Sequence, residues 1–184
     1  NYTDNAFVQL PYQSPNSLNL IYQTLNYKYN QMLGLMLRVP FNIGQVLQSS
    51  LTLNGYYTHN KVDNFHNLEI NREKFSFYAD LTNSIRLSSK YPIYLTMNAT
   101  ALTSSLQGIA DLSDIWKIDI GFKWTTLKGN ADLMFSGVDI FNTWSPKMTI
   151  NNCGQNLNMN TYDMTRQFKL SFVWVYFVSN SSLF

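Results

Sequence analysis

Polar and apolar residues alternate with a period of two along most of this chain. From Trp116 to Trp124, the residues Trp116, Ile118, Ile120, Phe122 and Trp124 share one parity, and Lys117, Asp119, Gly121 and Lys123 the other. Successive side chains of a strand point to opposite faces, so this run predicts a strand that is apolar on one side and charged on the other. The pattern recurs. Phe75, Phe77, Ala79, Leu81, Ile85 and Leu87 oppose Ser76, Tyr78, Asp80, Thr82, Ser84 and Arg86, with Asn83 the one polar exception on the apolar parity. Ile93, Leu95, Met97, Ala99 and Ala101 oppose Tyr94, Thr96, Asn98 and Thr100, and Phe168, Leu170, Phe172, Trp174 and Tyr176 oppose Gln167, Lys169 and Ser171. Nearer the start, Leu33, Leu35, Leu37 and Val39 oppose Gly34 and Arg38, and Leu47, Leu51 and Leu53 oppose Thr52 and Asn54. In the run from Ala131, Leu133 and Phe135 begin in one phase while Val138 and Ile140 continue in the other, which predicts a β-bulge near Gly137. Seven strands emerge from these runs, and an eighth is expected within Tyr2–Leu10. No 3.6-residue apolar period is sustained.

The connections alternate in length. Short turns are expected at 41–44, 88–92 and 127–130, and longer polar loops at about Asn60–Arg72, Ser104–Ser113 and Asn142–Asp163. Short turns at one end and long loops at the other is the habit of outer-membrane β-barrels. On that rule the strand from Leu47 runs outward and the last strand ends at the periplasmic rim. The eight steps from Trp116 to Trp124, at ~3.3 Å each and a tilt of ~40°, rise about 20 Å, close to the height of such a barrel's apolar band.

Composition changes the picture in one respect. Aromatics reach 15% of the 184 residues while charged residues fall to 13%, about half the share usual in soluble domains. A surface so poor in charge and rich in rings calls for a solvent other than water, and lipid is one. No run of apolar residues is long enough for a membrane-crossing helix, which leaves strands as the means of crossing. The expected fold is all-β: an antiparallel transmembrane barrel of seven or eight strands, one outer-membrane domain over 1–184. The net charge of +2 is too small to argue for nucleic acid. The chain starts at Asn1 with no signal-peptide pattern and reads as a mature or truncated product. A single cysteine, Cys153, excludes an internal disulfide framework.

No catalytic constellation, metal site or cofactor motif emerges. His59 and His66 lie seven residues apart with Asp63 between them, a spacing that matches no recognised zinc site, and Glu69 and Glu73 share the same polar stretch. These read as solvated loop residues. The polar parity carries Arg38, Asp80, Arg86, Lys117, Asp119, Lys123, Asp132 and Lys169, which are expected to face a lumen. They would either bind a polar solute or pair across neighbouring strands, Asp119 with an adjacent lysine, as in any polar barrel interior. Tyr91, Trp116, Trp124, Trp174 and Tyr176 fall near strand ends and are expected at the membrane interfaces, where amphipathic rings sit at head-group level; a sugar-stacking surface is the other reading of the same rings.

In carrying Gly137-Val138-Asp139-Ile140-Phe141-Asn142-Thr143, then a long loop and the alternating run Arg166-Gln167-Phe168-Lys169-Leu170-Ser171-Phe172, the chain resembles a known family. It is similar, from about Asn30 to Phe177, to the C-terminal part of Bacteroidetes outer-membrane β-barrel proteins related to TonB-dependent receptors. The loop Ser105-Leu106-Gln107-Gly108-Ile109 fits as well. The resemblance implies an arc of a larger barrel, of about 22 strands, used to take a nutrient or complex across the outer membrane. It implies outer-membrane lipid as surroundings and places the remaining strands and the plug in chain preceding Asn1 or in another polypeptide. TonB and a surface lipoprotein are the partners it suggests. Final strands of that family end the protein at an aromatic residue, whereas here Phe177 is followed by a tail running to Phe184. Two alternatives stay open: a barrel acting as scaffold or complex subunit without uptake, and a secreted carbohydrate-binding β-sandwich.

Overall fold

The computed structural model describes all residues except 1, 15, 16, 18, 66, 67, 127, 128, 153, 154, 161 and 175–184, and among the described residues the regular structure is almost wholly strand. The strands among them are fourteen: β1 (Tyr2–Thr3), β2 (Phe7–Gln13), β3 (Leu20–Asn26), β4 (Tyr29–Ile43), β5 (Leu47–Phe65), β6 (Leu68–Arg86), β7 (Ile93–Leu102), β8 (Ser105–Gln107), β9 (Ala110–Leu112), β10 (Ile115–Thr126), β11 (Ala131–Val138), β12 (Lys147–Asn152), β13 (Gln155–Asn160) and β14 (Gln167–Trp174). The principal sheet has the order β1-β4-β5-β6-β7-β10-β11-β14, a meander of antiparallel neighbours that does not close on itself. Its seven long strands are the seven that alternation predicts.

Two expectations are corrected and a third is refined. The segment Tyr2–Leu10 is not one strand. Asn5 takes a left-handed φ of 51°, which breaks the run after β1 has paired Tyr2 with Gln31, and β2 then leaves to form a separate hairpin with β3. The extra residue expected near Gly137 lies just beyond it: β11 pairs with β10 through Gly137 and with β14 through Val138, after which the Ile140 amide bonds the Ile118 carbonyl at 3.0 Å, one residue out of register with Ile120↔Gly137. Asp139, with a φ of 46°, takes up that extra residue and returns Ile140 to the side of Gly137, which accounts for the change of phase. Finally, the three longer connections are not loops. β5 and β6 run paired from Leu47↔Ile85 to Phe65↔Leu68, and the other two connections carry β8, β9, β12 and β13, which form a four-stranded sheet of order β13-β12-β9-β8.

That small sheet, the β2–β3 hairpin and the projecting tips of β5 and β6 make a cap at the long-connection end. The buried apolar cluster of the molecule lies here and not in the principal sheet: Leu10, Tyr27, Val62, Phe65, Ile70, Ile109, Ala110 and Ile150 pack together. Val62 and Phe65 have opposite parity and would face opposite ways in a regular strand. β5 carries one extra residue between them relative to Leu68–Ile70 on β6, and this bulge turns both side chains into the cluster, where neither retains accessible surface. Thr58, Asn60 and Val62 continue the parity of the polar side chains of β5, so the cap is packed on the polar-face side of the hairpin. Asn60 donates to the Gly108 carbonyl at 2.8 Å, Lys74 reaches Asp111 at 2.7 Å with Arg72 on the same carboxylate, and Ser76 donates to the Ser104 carbonyl at 3.0 Å. Gly108 closes the β8–β9 turn with a φ of 63°, a conformation glycine adopts without a Cβ penalty.

Because the cap has its own core, truncating it should loosen the cap and spare the sheet. Phe65→Ala is expected to destabilise the cap by about 3–5 kcal/mol, seen as protease cleavage within 105–112 and 147–160 while the strands of the principal sheet stay protected.

Candidate functional site

Directly opposed residues of antiparallel strands share a face, so the registers resolve the principal sheet into rows. On one face the rows are Leu37–Leu53–Ala79–Ala101–Trp116, Val39–Leu51–Leu81–Ala99–Ile118 and Ile43–Leu47–Ile85–Leu95–Phe122–Phe135–Leu170. Apolar side chains on this face stay exposed, among them Leu35 at 80% and Leu170 at 73%. The face turns polar where the Leu33–Tyr57–Phe75 row gives way to Gln31–His59–Glu73. There the Tyr57 hydroxyl donates to Glu73 at 2.6 Å and the His59 ring meets Asn71 at 2.6 Å. From Leu47 to Tyr57 is ten steps along β5, or ~25 Å of rise at ~3.3 Å per step and a tilt of ~40°, the height of an outer-membrane apolar band.

Asn83 breaks the apolar rule without leaving a polar group bare. It lies opposite Ser49, whose hydroxyl donates to its side-chain oxygen at 2.7 Å, while its amide donates to the Met97 carbonyl at 3.2 Å. Both side chains are buried in the sheet surface.

Among the aromatics singled out from the sequence, Trp116 and Trp124 project from the apolar face of β10 and remain 44% and 40% exposed. The Trp116 ring lies 5.5 Å from that of Phe141 at the cap end. Trp124 opposes Ile93, and Trp174 opposes Ala131. Tyr91 lies in the turn before β7 with the Lys90 ammonium 5.4 Å from its ring. Tyr176 falls outside the described residues, as do His66 and Cys153. His59 also meets the Tyr29 hydroxyl at 3.4 Å, and Asp63 pairs with Lys28 at 3.0 Å.

The opposite face is polar. One row runs Arg38–Thr52–Asp80–Thr100–Lys117, so charges of alternating sign are each separated by a threonine. Arg38 donates to Ser50 at 3.2 Å, and Asp80 accepts from Thr100 at 2.8 Å and Thr82 at 3.3 Å. Lys117 pairs with Asp119 at 2.8 Å along its own strand, and Lys123 reaches Asp132 on β11 at 2.9 Å. Arg86 bonds the Ser88 and Ser89 carbonyls at 3.0 and 3.2 Å, bracing the short turn. Lys169 opposes Ser136 and is exposed. These residues therefore share a face but do not converge on a point.

The tightest constellation lies at the cap-side rim, in residues that alternation could not single out. Asp139 is fully buried. Its carboxylate accepts the amides of Thr143 and Trp144, each at 3.0 Å, and the hydroxyl of Thr165. Its own amide donates to Asp119 at 2.7 Å. Asn142, with a φ of 56°, accepts the amides of Thr165 and Arg166, both at 3.2 Å, and the Thr143 hydroxyl bonds the Trp116 carbonyl. Asp and Asn tolerate the left-handed region better than other side-chain-bearing residues. Here they use it to aim their oxygens at both ends of the excursion that leaves at Thr143 and returns at Thr165. The clasp delivers β14 to β11 with Gln167 opposite Val138.

Burial alone would push the Asp139 carboxyl up, but the bonds from Thr165, Thr143 and Trp144 outweigh it and hold the group below the ordinary carboxylate value. A depressed folded-state value means stability that is present above the unfolded carboxylate's pKa and lost as pH falls through the folded one. Asp139→Ala should cost about 2–4 kcal/mol and abolish hydrogen-exchange protection of the Thr143 and Trp144 amides. Acidification should weaken the same protection in the unsubstituted chain, and Asp139→Asn should remove that pH dependence.

Neither a curated protein nor a solved structure matches the chain. One family model does, over residues 1–174, a span that takes in the two-faced sheet, the cap and the clasp. The chain belongs to the outer membrane protein beta-barrel family, and its incomplete ring of strands is a partial barrel of the outer membrane.

Proposed function

We propose that this chain is an arc of a TonB-dependent-receptor-like barrel of Bacteroidetes type, serving uptake of a nutrient or complex across the outer membrane. The apolar rows lie against lipid, and Trp116 marks one interface while Tyr91, Trp124 and Trp174 mark the other. Arg38, Asp80, Arg86, Lys117, Asp119, Lys123, Asp132 and Lys169 face the lumen. In hydrocarbon every backbone amide needs a partner. Among the described residues β14 has a neighbour on one side only, and β4 meets β1 only through Asn30 and Gln31. The open edges therefore join further strands, and these come with a plug from preceding chain or from another polypeptide.

The observation that carries the uptake reading is the position of the cap. Its attachment to the polar-face side of β5 and β6, through Asn60, Arg72, Lys74 and Ser76, sets it over the mouth of the lumen, where a solute entering along the polar face must pass it. A scaffold without uptake is the second reading. It is favoured by the ion pairs Lys117–Asp119 and Lys123–Asp132, which engage lumen charges with one another.

Two measurements test this. Ile120→Arg, at the middle of the apolar face, should destabilise the membrane-inserted protein by about 2–4 kcal/mol, while Thr96→Arg on the polar face should leave its heat-modifiable band unchanged; equal effects would refute the assignment of faces. The full-length protein should capture the purified periplasmic domain of TonB. Failure to do so, with the band intact, would leave the scaffold reading.

A further inference from the structure

The cap holds a cleft that the barrel does not need. It lies between the β2–β3 hairpin, the β8–β9 turn and the β12–β13 hairpin, with a volume of about 400 Å³, within the range of small-molecule sites. Leu10, Tyr27, Ile109 and Ala110 of the cap core form its floor, and Phe7, Tyr22, Met148 and Met159 contribute to its walls. Phe7 is 81% exposed and Tyr22 59%. These rings stand beyond the polar row that ends the apolar band, so lipid does not cover them.

Charge narrows the occupant. No residue lining the cleft is charged. The charges on the neighbouring β6 and β9, Arg72 and Lys74 against Asp111, engage one another. Burial raises the Tyr27 hydroxyl above its usual value, so that ring stays neutral throughout the physiological range. A charged solute would give up water here with nothing to compensate it. The side-chain polar groups are the Gln9 and Gln107 amides and the two tyrosine hydroxyls, enough to orient one polar edge. A saccharide presents hydroxyls all round and would leave most of them unmatched against Phe7, Pro11, Met148 and Met159. Flat rings, by contrast, gain from both aromatic faces and thioethers.

From this we infer that the cleft binds an uncharged molecule built on a flat apolar ring with one hydrogen-bonding edge. The inference deepens the uptake proposal by naming its cargo class, and rests on it only for the passage of the bound molecule into the lumen. Equilibrium binding and TonB capture are separate measurements, so either can fail without the other.

The test uses full-length protein in lipid nanodiscs, with 2-naphthol as probe and empty nanodiscs as blank. Saturable 2-naphthol binding in excess of the blank is expected, and it should persist as salt rises from about 0.1 to 1 M, since no ion pair contributes. Naphthalene-2-sulfonate, the same ring carrying a charge, should bind at least tenfold more weakly. Phe7→Ala combined with Tyr22→Ala, both at exposed positions, should weaken 2-naphthol at least tenfold, and Met159→Trp should block the cleft. An intact heat-modifiable band in each variant shows that the fold survives. Naphthol uptake no greater than the blank, or unaffected by the variants, would overturn the site. Tighter binding of maltose than of 2-naphthol would overturn the ligand class.

Discussion

Backbone amides and carbonyls in hydrocarbon have no water to fall back on, and the principal sheet is organised around that constraint. Its ladders run without a register shift wherever side chains are apolar, from Ile43↔Leu47 through Leu37↔Leu53 and from Trp116↔Ala101 to Trp124↔Ile93. The register shift in β5 between Val62 and Phe65 falls beyond the apolar band, where the cap core covers it. Side chains obey the same constraint. Ser49 and Asn83 sit on the apolar face only because each supplies what the other lacks, and the Met97 carbonyl takes the remaining amide. Polar groups that bond one another are tolerated in lipid at modest net gain, whereas a lone asparagine there would carry its full desolvation penalty.

Two parts of the molecule are thus stabilised by different means. The sheet displays its large apolar side chains and buries few of them; lipid completes it. The cap does the reverse, enclosing Val62, Phe65, Ile70, Ile109 and Ile150 as a water-facing domain would, and tying itself to the barrel through Asn60, Ser76 and the Arg72–Lys74–Asp111 group. An ordered cap on the polar-face side makes this end of the partial barrel a structured surface, not a fringe of loops.

Legibility in the sequence followed the same division. A strand with one face in lipid alternates with period two because its surroundings do, so all seven long strands and the parity of every charged candidate could be read from residues alone. The cap could not. Asn60–Arg72 looks like a polar loop because both sides of β5 and β6 carry hydrophilic residues there, held by cross-strand pairs such as His59–Asn71, and because a bulge scrambles the parity of its two core residues. β8 and β9 are only three residues each, too short to show a period. The clasp was visible only as a motif: Asp139, Asn142, Thr143 and Arg166 stood out by resemblance, but Thr165, the hydroxyl partner of Asp139, is more than twenty residues away and has no pattern of its own.

The clasp also separates what the barrel must keep from what it can change. Asp139 and Asn142 secure the departing and returning chain within four positions of one another, so the register of the final strand is decided before the intervening hairpin is counted. Whatever lies between Trp144 and Thr165 can lengthen, shorten or be rewritten without shifting a single pair in the membrane. Diversity in the cap is thereby uncoupled from the integrity of the wall beneath it.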